Sequence, residues 1–120
     1  MIYGIGTDIV RVARMQKNIE RHGDDFAARI LTDAEQKDYA TEVRKAHFLA
    51  KRFAAKEATA KAMGTGFSDG LSLQHIGVSH DAAGKPQLEF SGCADAFIRA
   101  KGITQAQAQA NVLAAATAEI

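Results

Sequence analysis

Apolar and polar positions alternate along the chain with two periods, and the longer period dominates the middle. Residues 46–63 contain no Gly or Pro and are rich in the strong helix formers Ala and Lys, so they predict one long helix, with Leu49, Phe53 and Ala60 on a single apolar stripe. Gly64 and Gly66 close that helix. At the start of the chain, residues 1–5 read as a short buried strand, and Thr7 or Asp8 then opens a helix over about 9–21. Gly23 with Asp24 and Asp25 marks a break, and residues 26–31 give a turn or two of helix. Thr32-Asp33-Ala34-Glu35 is a capping-box sequence, predicting a helix from Asp33 to about Glu42. Ser68-Asp69-Gly70 is a turn; Leu71, Leu73, Ile76 and Val78 predict a strand, residues 81–85 a turn and residues 86–90 the returning strand. Ala94, Phe97 and Ile98 have helical spacing, with Gly102 as a stop. These elements make one α+β domain over 1–120, an antiparallel sheet packed with a long central helix.

The central helix carries an anomaly. Lys56, Glu57 and Lys61 fall on or beside the apolar stripe, where a plain amphipathic helix places more apolar residues. Charges at a packing surface are costly unless paired, and a metal ion and a phosphate would pair with them. The plainer explanation is an i,i+4 ion pair between Glu57 and Lys61, which usually decorates a solvated face. A second feature lies at the N-terminal end, Ile2-Tyr3-Gly4-Ile5-Gly6-Thr7-Asp8-Ile9-Val10. Gly4 and Gly6 permit close backbone approach, and Asp8 as an N-cap explains itself without chemistry. The third Gly of a dinucleotide fingerprint and the Gly-Lys-Ser/Thr of a P-loop are both missing.

Composition narrows the class. The 120 residues carry 47% hydrophobic and 24% charged positions, enough for one modest core. A net charge of +1 offers no basic field for nucleic acid. The single cysteine, Cys93, fits a reducing compartment. Without an apolar run long enough for a bilayer or a basic leader followed by one, the expectation is a soluble cytoplasmic protein with no membrane partner. The four histidines have no metal-ligand spacing, and there is no Gly-x-Ser-x-Gly elbow.

Residues 4–10, Leu49-Ala50-Lys51-Arg52-Phe53-Ala54-Ala55-Lys56-Glu57-Ala58, Lys61-Ala62-Met63-Gly64-Thr65-Gly66 and Gly84-Lys85-Pro86 together resemble the paired signatures of the 4'-phosphopantetheinyl transferases, and within that superfamily the small bacterial type. The resemblance runs from Met1 to about Gly102. It implies a closing strand within 112–118, where alanine alone would favour helix, and it fails over 103–111, where relatives carry a further strand and a polar loop.

The implied reaction is Mg²⁺-dependent transfer of the phosphopantetheine arm of coenzyme A to a serine of acyl carrier protein. By motif position, Asp8 and Glu57 are the metal carboxylates, and Glu57 is the first candidate for general base, directly or through water. Lys61 holds a phosphate and the leaving charge, as a second catalytic group. Arg52, Lys56, Lys61, Gly64, Thr65, Gly66, Lys85 and Pro86 are the implied coenzyme A contacts, although Gly64-Thr65-Gly66 is equally well a helix C-cap and Gly-Lys-Pro an ordinary turn. Arg14, Lys17 and Arg21 share a helix face, and the resemblance makes Arg14, Arg21 and Arg29 the docking residues for an acidic carrier protein. It also implies a homotrimer with sites at the subunit boundaries. Two other functions compete: a non-catalytic coenzyme A or nucleotide-binding module, which needs no Asp8–Glu57 pair, and an interaction domain presenting the arginine face.

Overall fold

The computed structural model describes residues 8–68, 70–102 and 116–119, with the backbone alone at 8–10 and 116–119. The expected strand over 1–5, Asp69 of the turn, and the segment 103–115 lie outside the described residues.

Strand β1 (Asp8–Arg11) leads directly into helix α1 (Val12–His22). This corrects the expected helix start near Ile9. The β-branched Ile9 and Val10 extend the strand, and the helix is flanked by Arg11 without a side-chain cap, so Asp8 is no N-cap. Helix α2 (Asp24–Ile30) follows a Gly23 at φ 62°, and α3 (Asp33–Thr41) starts at the capping box as expected. There Glu35 N–H donates to Thr32 Oγ1 at 3.2 Å, and Thr32 N–H donates to Glu35 Oε1 at 2.8 Å. Helix α4 (Lys45–Met63) is the long central helix, ended by Gly64 in the left-handed region at φ 79°.

The apolar run after Gly70 does not form one strand. Leu73–His75 make a 3₁₀ turn, and β2 (Ile76–His80) begins only after it. The turn is closed by the His75 ring, whose Nδ1 accepts the Ser72 N–H at 3.1 Å. Strand β3 (Pro86–Phe90) returns antiparallel to β2, with Val78 opposite Leu88. Helix α5 (Gly92–Ala100) and strand β4 (Ala116–Glu119) complete the described chain. β4 runs parallel to β1, with Asp8 opposite Ala116 and Arg11 opposite Glu119. The antiparallel pairing expected from sequence is thus β2–β3, and the chain's outer segments form a separate parallel pair.

Helix α4 serves two apolar clusters. Its N-terminal half, through Ala46, Leu49 and Ala50, packs with Val12, Met15 and Leu31 of the preceding segments. Its C-terminal half, through Ala60 and Met63, packs with Ile76, Val78 and Leu88 of the hairpin and Ala94 of α5. The same helix packs against β1 and β4. The helix is therefore surrounded along most of its length, the arrangement in which a long helix loses its simple amphipathic pattern.

Candidate active site

Three consecutive features of α4 were expected to face a ligand, and they separate in the structure. Lys56 is fully buried. Its ammonium donates to Glu35 Oε1 at 2.7 Å, to the Leu73 carbonyl at 3.0 Å and to the Ile76 carbonyl. A lysine has three protons to donate, so none is left for coenzyme A. The expectation that Lys56 binds coenzyme A is corrected on that ground. Burial pushes its pKa below the ordinary lysine value, and the Glu35 carboxylate opposes that shift.

Glu57 and Lys61 remain on the less covered side of the helix, Glu57 half-buried and Lys61 exposed, each with an interaction of its own. They are four residues apart and so share a face. Asp8 lies on β1, a strand against which α4 packs. One hard carboxylate on each of two packed elements is the donor set Mg²⁺ takes when phosphate oxygens and water complete its shell. No group of three or more candidate metal-ligating side chains occurs among the described residues, so a cage built wholly of protein is not on offer there.

Arg52, one turn before Lys56, is mostly enclosed. Its Nε lies 3.7 Å from Glu35 Oε2, and its guanidinium sits 4.5 Å from the centre of the Phe48 ring. Burial lowers its pKa, against the pull of Glu35 and, more weakly, Asp38 and Glu42. Its Nε makes no hydrogen bond among the described residues.

The Gly64-Thr65-Gly66 turn settles one of the alternatives left open by its sequence. Gly64 N–H donates to the Lys61 carbonyl at 3.0 Å, and the amides of Thr65 and Gly66 donate to Ala60 at 3.3 and 3.2 Å. The backbone donors close the helix and are not presented to an anion. What the turn does hold is an orphan: Thr65 Oγ1 is buried and has no hydrogen-bond partner among the described residues. A buried hydroxyl without a partner is costly, and an incoming phosphate or amide oxygen would relieve it.

Lys85 and Pro86 sit exposed at the β2–β3 turn, where Asp81 Oδ1 accepts the amides of Ala83 and Lys85, both at 2.9 Å. Arg14, Lys17, Arg21 and Arg29 are exposed, and none makes an ion pair among the described residues. Among the described residues, one groove of about 460 Å³ opens beside Thr32, Gly77 and Glu89 and another of about 420 Å³ beside Asp24, Tyr39 and Lys45. Neither includes Glu57 or Lys61.

Sequence reasoning missed Glu35 as anything beyond a cap. Its signal was present but ambiguous: a capping-box glutamate needs one oxygen for the cap, and nothing local says what the second will meet.

A family profile described as the 4'-phosphopantetheinyl transferase superfamily matches residues 4–116. A holo-[acyl-carrier-protein] synthase of Nitrosospira multiformis is 51% identical over 105 residues, covering 88% of this chain and 84% of the relative. Among solved structures, the holo-[acyl-carrier-protein] synthase of Neisseria meningitidis superposes with a TM-score of 0.81 at 44% identity, covering 87% of this chain and 83% of that one. The Bacillus anthracis enzyme of the same name, solved in complex with CoA (3',5'-ADP), superposes with a TM-score of 0.68 at 42% identity, covering 77% of this chain and 78% of that one.

Proposed function

This chain belongs to the 4'-phosphopantetheinyl transferase superfamily, and from that premise we infer that it is an enzyme transferring the 4'-phosphopantetheine arm of coenzyme A to a serine of apo-acyl carrier protein. The products are holo-acyl carrier protein and adenosine 3',5'-bisphosphate. Coenzyme A is the co-substrate, in keeping with the coenzyme A complex of the B. anthracis relative.

The observation that carries the mechanism is the packing of α4, bearing Glu57 and Lys61, against β1, bearing Asp8. The serine hydroxyl attacks the phosphorus that bears the pantetheine arm, and the bond to the bridging oxygen of the pyrophosphate breaks. Such a displacement depends on positioning and charge neutralisation more than on covalent chemistry. Asp8 and Glu57 would hold Mg²⁺, and the ion, when bound, would supply charge neutralisation at the pyrophosphate. Glu57, directly or through a water, takes the serine proton, and its place beside Lys61 on one helical face supports that role. Lys61, exposed at the end of α4, receives the charge that develops on the leaving bisphosphate. Thr65, through a hydroxyl with no partner among the described residues, contacts the coenzyme, and Arg52 is a further contact approached from the Glu35 side of α4. Gly64 and Gly66 shape the turn without lending it amides. Lys85 and Pro86 meet the nucleotide from the hairpin of a neighbouring subunit.

That last assignment belongs with a homotrimer whose sites lie at subunit boundaries. It is supported by the resemblance of the chain to the small bacterial type of the superfamily. Arg14, Arg21 and Arg29 dock the acidic carrier protein; their exposure and the absence of ion pairs at all three among the described residues leave their charge available to a partner. The cytoplasm is the compartment we propose for the reaction, a reading supported by the single, unpaired cysteine.

Incubating the protein with coenzyme A, Mg²⁺ and apo-carrier protein should add the mass of the arm to the carrier. Coenzyme A binding without that mass gain would instead establish a non-catalytic binding module. Sedimentation at enzyme concentrations should report a trimer, and a monomer active at the same concentration would remove the shared site.

A further inference from the structure

Glu35 is the most heavily engaged carboxylate among the described residues, and neither the capping box nor the chemistry above uses most of its contacts. Its Oε1 accepts the Thr32 amide at 2.8 Å and the Lys56 ammonium at 2.7 Å. Its Oε2 accepts the Val78 amide at 3.0 Å and has Arg52 Nε at 3.7 Å. Lys56 spends its remaining protons on the carbonyls of Leu73 and Ile76. One buried ion pair thus ties the start of α3, the middle of α4, the 3₁₀ turn and β2 together.

We propose that Glu35 is a positioning residue: through Lys56 it fixes the rotation of α4 about its own axis, and so the angle at which Glu57 and Lys61 meet the pyrophosphate. The inference rests on the function proposed above.

The packing surface of α4 explains why such a pin is needed. Ala46, Ala50, Ala54, Ala58, Ala60 and Ala62 are all buried. Alanine side chains raise only low ridges, and ridges seated in grooves are what normally lock a helix against turning. The fully buried side chains of α4 that exceed alanine are Leu49, Thr59 and Lys56, and the Thr59 hydroxyl donates back to Ala55 within the helix. Lys56 alone reaches a charged partner outside α4 from a fully buried position. Glu57 follows it by one residue, about 100° around the helix. A side-chain tip lies roughly 6 Å from the helix axis, so a turn of about 20° moves it by about 2 Å. That displacement equals about one whole Mg–O bond of roughly 2 Å, which tolerates little deviation. Buried ion pairs add little net stability over apolar isosteres, so geometric definition is the better account of why this one is present.

The test compares wild type with Glu35→Gln and with Glu35→Gln/Lys56→Met, measuring coenzyme A affinity by calorimetry with Mg²⁺ and again in EDTA. Thermal unfolding monitors the fold. The double variant strands no fully buried charge, only the partly exposed Arg52, which keeps Asp38 and Glu42 nearby, and is expected to fold. It should lose affinity for coenzyme A in Mg²⁺ by ~10–100-fold, the cost of removing support from a metal site, with a much smaller change in EDTA. Glu35→Gln keeps a carbonyl acceptor for Lys56 and should fall between the two. Equal losses with and without metal, wild-type affinity in the double variant, or its failure to fold would each overturn the positioning role. A wild type that binds coenzyme A no better with Mg²⁺ than in EDTA would refute the proposed site itself, a result that the variants cannot mimic.

Discussion

Replacing Glu35 by Ala should be among the most damaging single changes available to this fold. The substitution strands the Lys56 ammonium, which has no exposed surface, among neutral carbonyls. Breaking a buried pair from one side costs about 3–5 kcal/mol. The Val78 amide also loses its acceptor, and an unsatisfied buried donor costs about 1–3 kcal/mol. The capping box loses its reciprocal half, at up to about 1 kcal/mol. These losses share atoms and will not add fully, so a net loss of about 4–6 kcal/mol is expected. That is comparable to the whole stability of many domains, about 5–15 kcal/mol. Adding Lys56→Met should restore the part due to the stranded charge. Urea unfolding of wild type, both singles and the double, at one protein concentration, gives the coupling energy directly. The expected coupling is at least about 2 kcal/mol; a value below about 0.5 kcal/mol, the usual limit of additivity, would refute the reading of the pair. The deficit of Glu35→Ala also has a pH signature. Lys56 titrates below its unfolded value in the native state, so between the two values the unfolded chain holds the extra proton and stability rises with pH. Removing Glu35 lowers the native value further, so the gap to wild type should narrow as pH climbs toward the ordinary lysine value of 10.5.

Other consequences are as direct. Asp8→Asn and Glu57→Gln should each lower transfer by about 10²-fold or more in saturating Mg²⁺, and near wild-type turnover in both would remove the metal and base assignments. Arg14→Glu should raise the Michaelis constant for carrier protein, most at low salt and with little change for coenzyme A; an unchanged constant at low salt moves the docking face elsewhere. Tyr39→Phe removes a buried hydroxyl that lacks a partner among the described residues, so thermal unfolding should show it as stable as wild type or more so, by up to about 1 kcal/mol. Burial, aided by Asp24, raises the Tyr39 pKa above 10.0, so wild type loses stability as pH rises from there to the native value, and the variant should lack that loss. Gly92→Ala would set a Cβ 2.6 Å from the His75 ring at a backbone φ of +52°, and should cost about 1–3 kcal/mol by chemical denaturation.

The local grammar of the chain was readable. The capping box placed α3, the Gly-free run placed α4, and Asp81 to Pro86 placed the hairpin, because each depends on neighbours within a few residues. What escaped depends on partners far away. Asp8 looked like a helix cap because Thr7-Asp8 suits one, yet the strand continues to Arg11 because residues 116–119 pair with it. Lys56 was recognised as a charge on a packing surface in need of a partner, and that physics holds. Its partner is Glu35, 21 residues earlier, which no periodicity could reveal. The same distance hid the contacts of Glu35, whereas the motif that singled out Glu57 and Lys61 lies within five residues.

The pairing of β1 with β4 bears on the order in which the molecule matures. Contacts between segments so distant in sequence are the slowest to close, and synthesis delivers the chain from its N-terminus. On a ribosome, α1 to α5 can collapse while β1 still lacks its ladder partner, so the backbone carrying Asp8 is expected to gain its final seat beside α4 only once residues 116–119 have emerged. Arrested nascent chains should therefore show protection of α4 from proteolysis before they show Mg²⁺-dependent capture of coenzyme A. The simultaneous appearance of both would mean that the N-terminal strand finds its seat unaided.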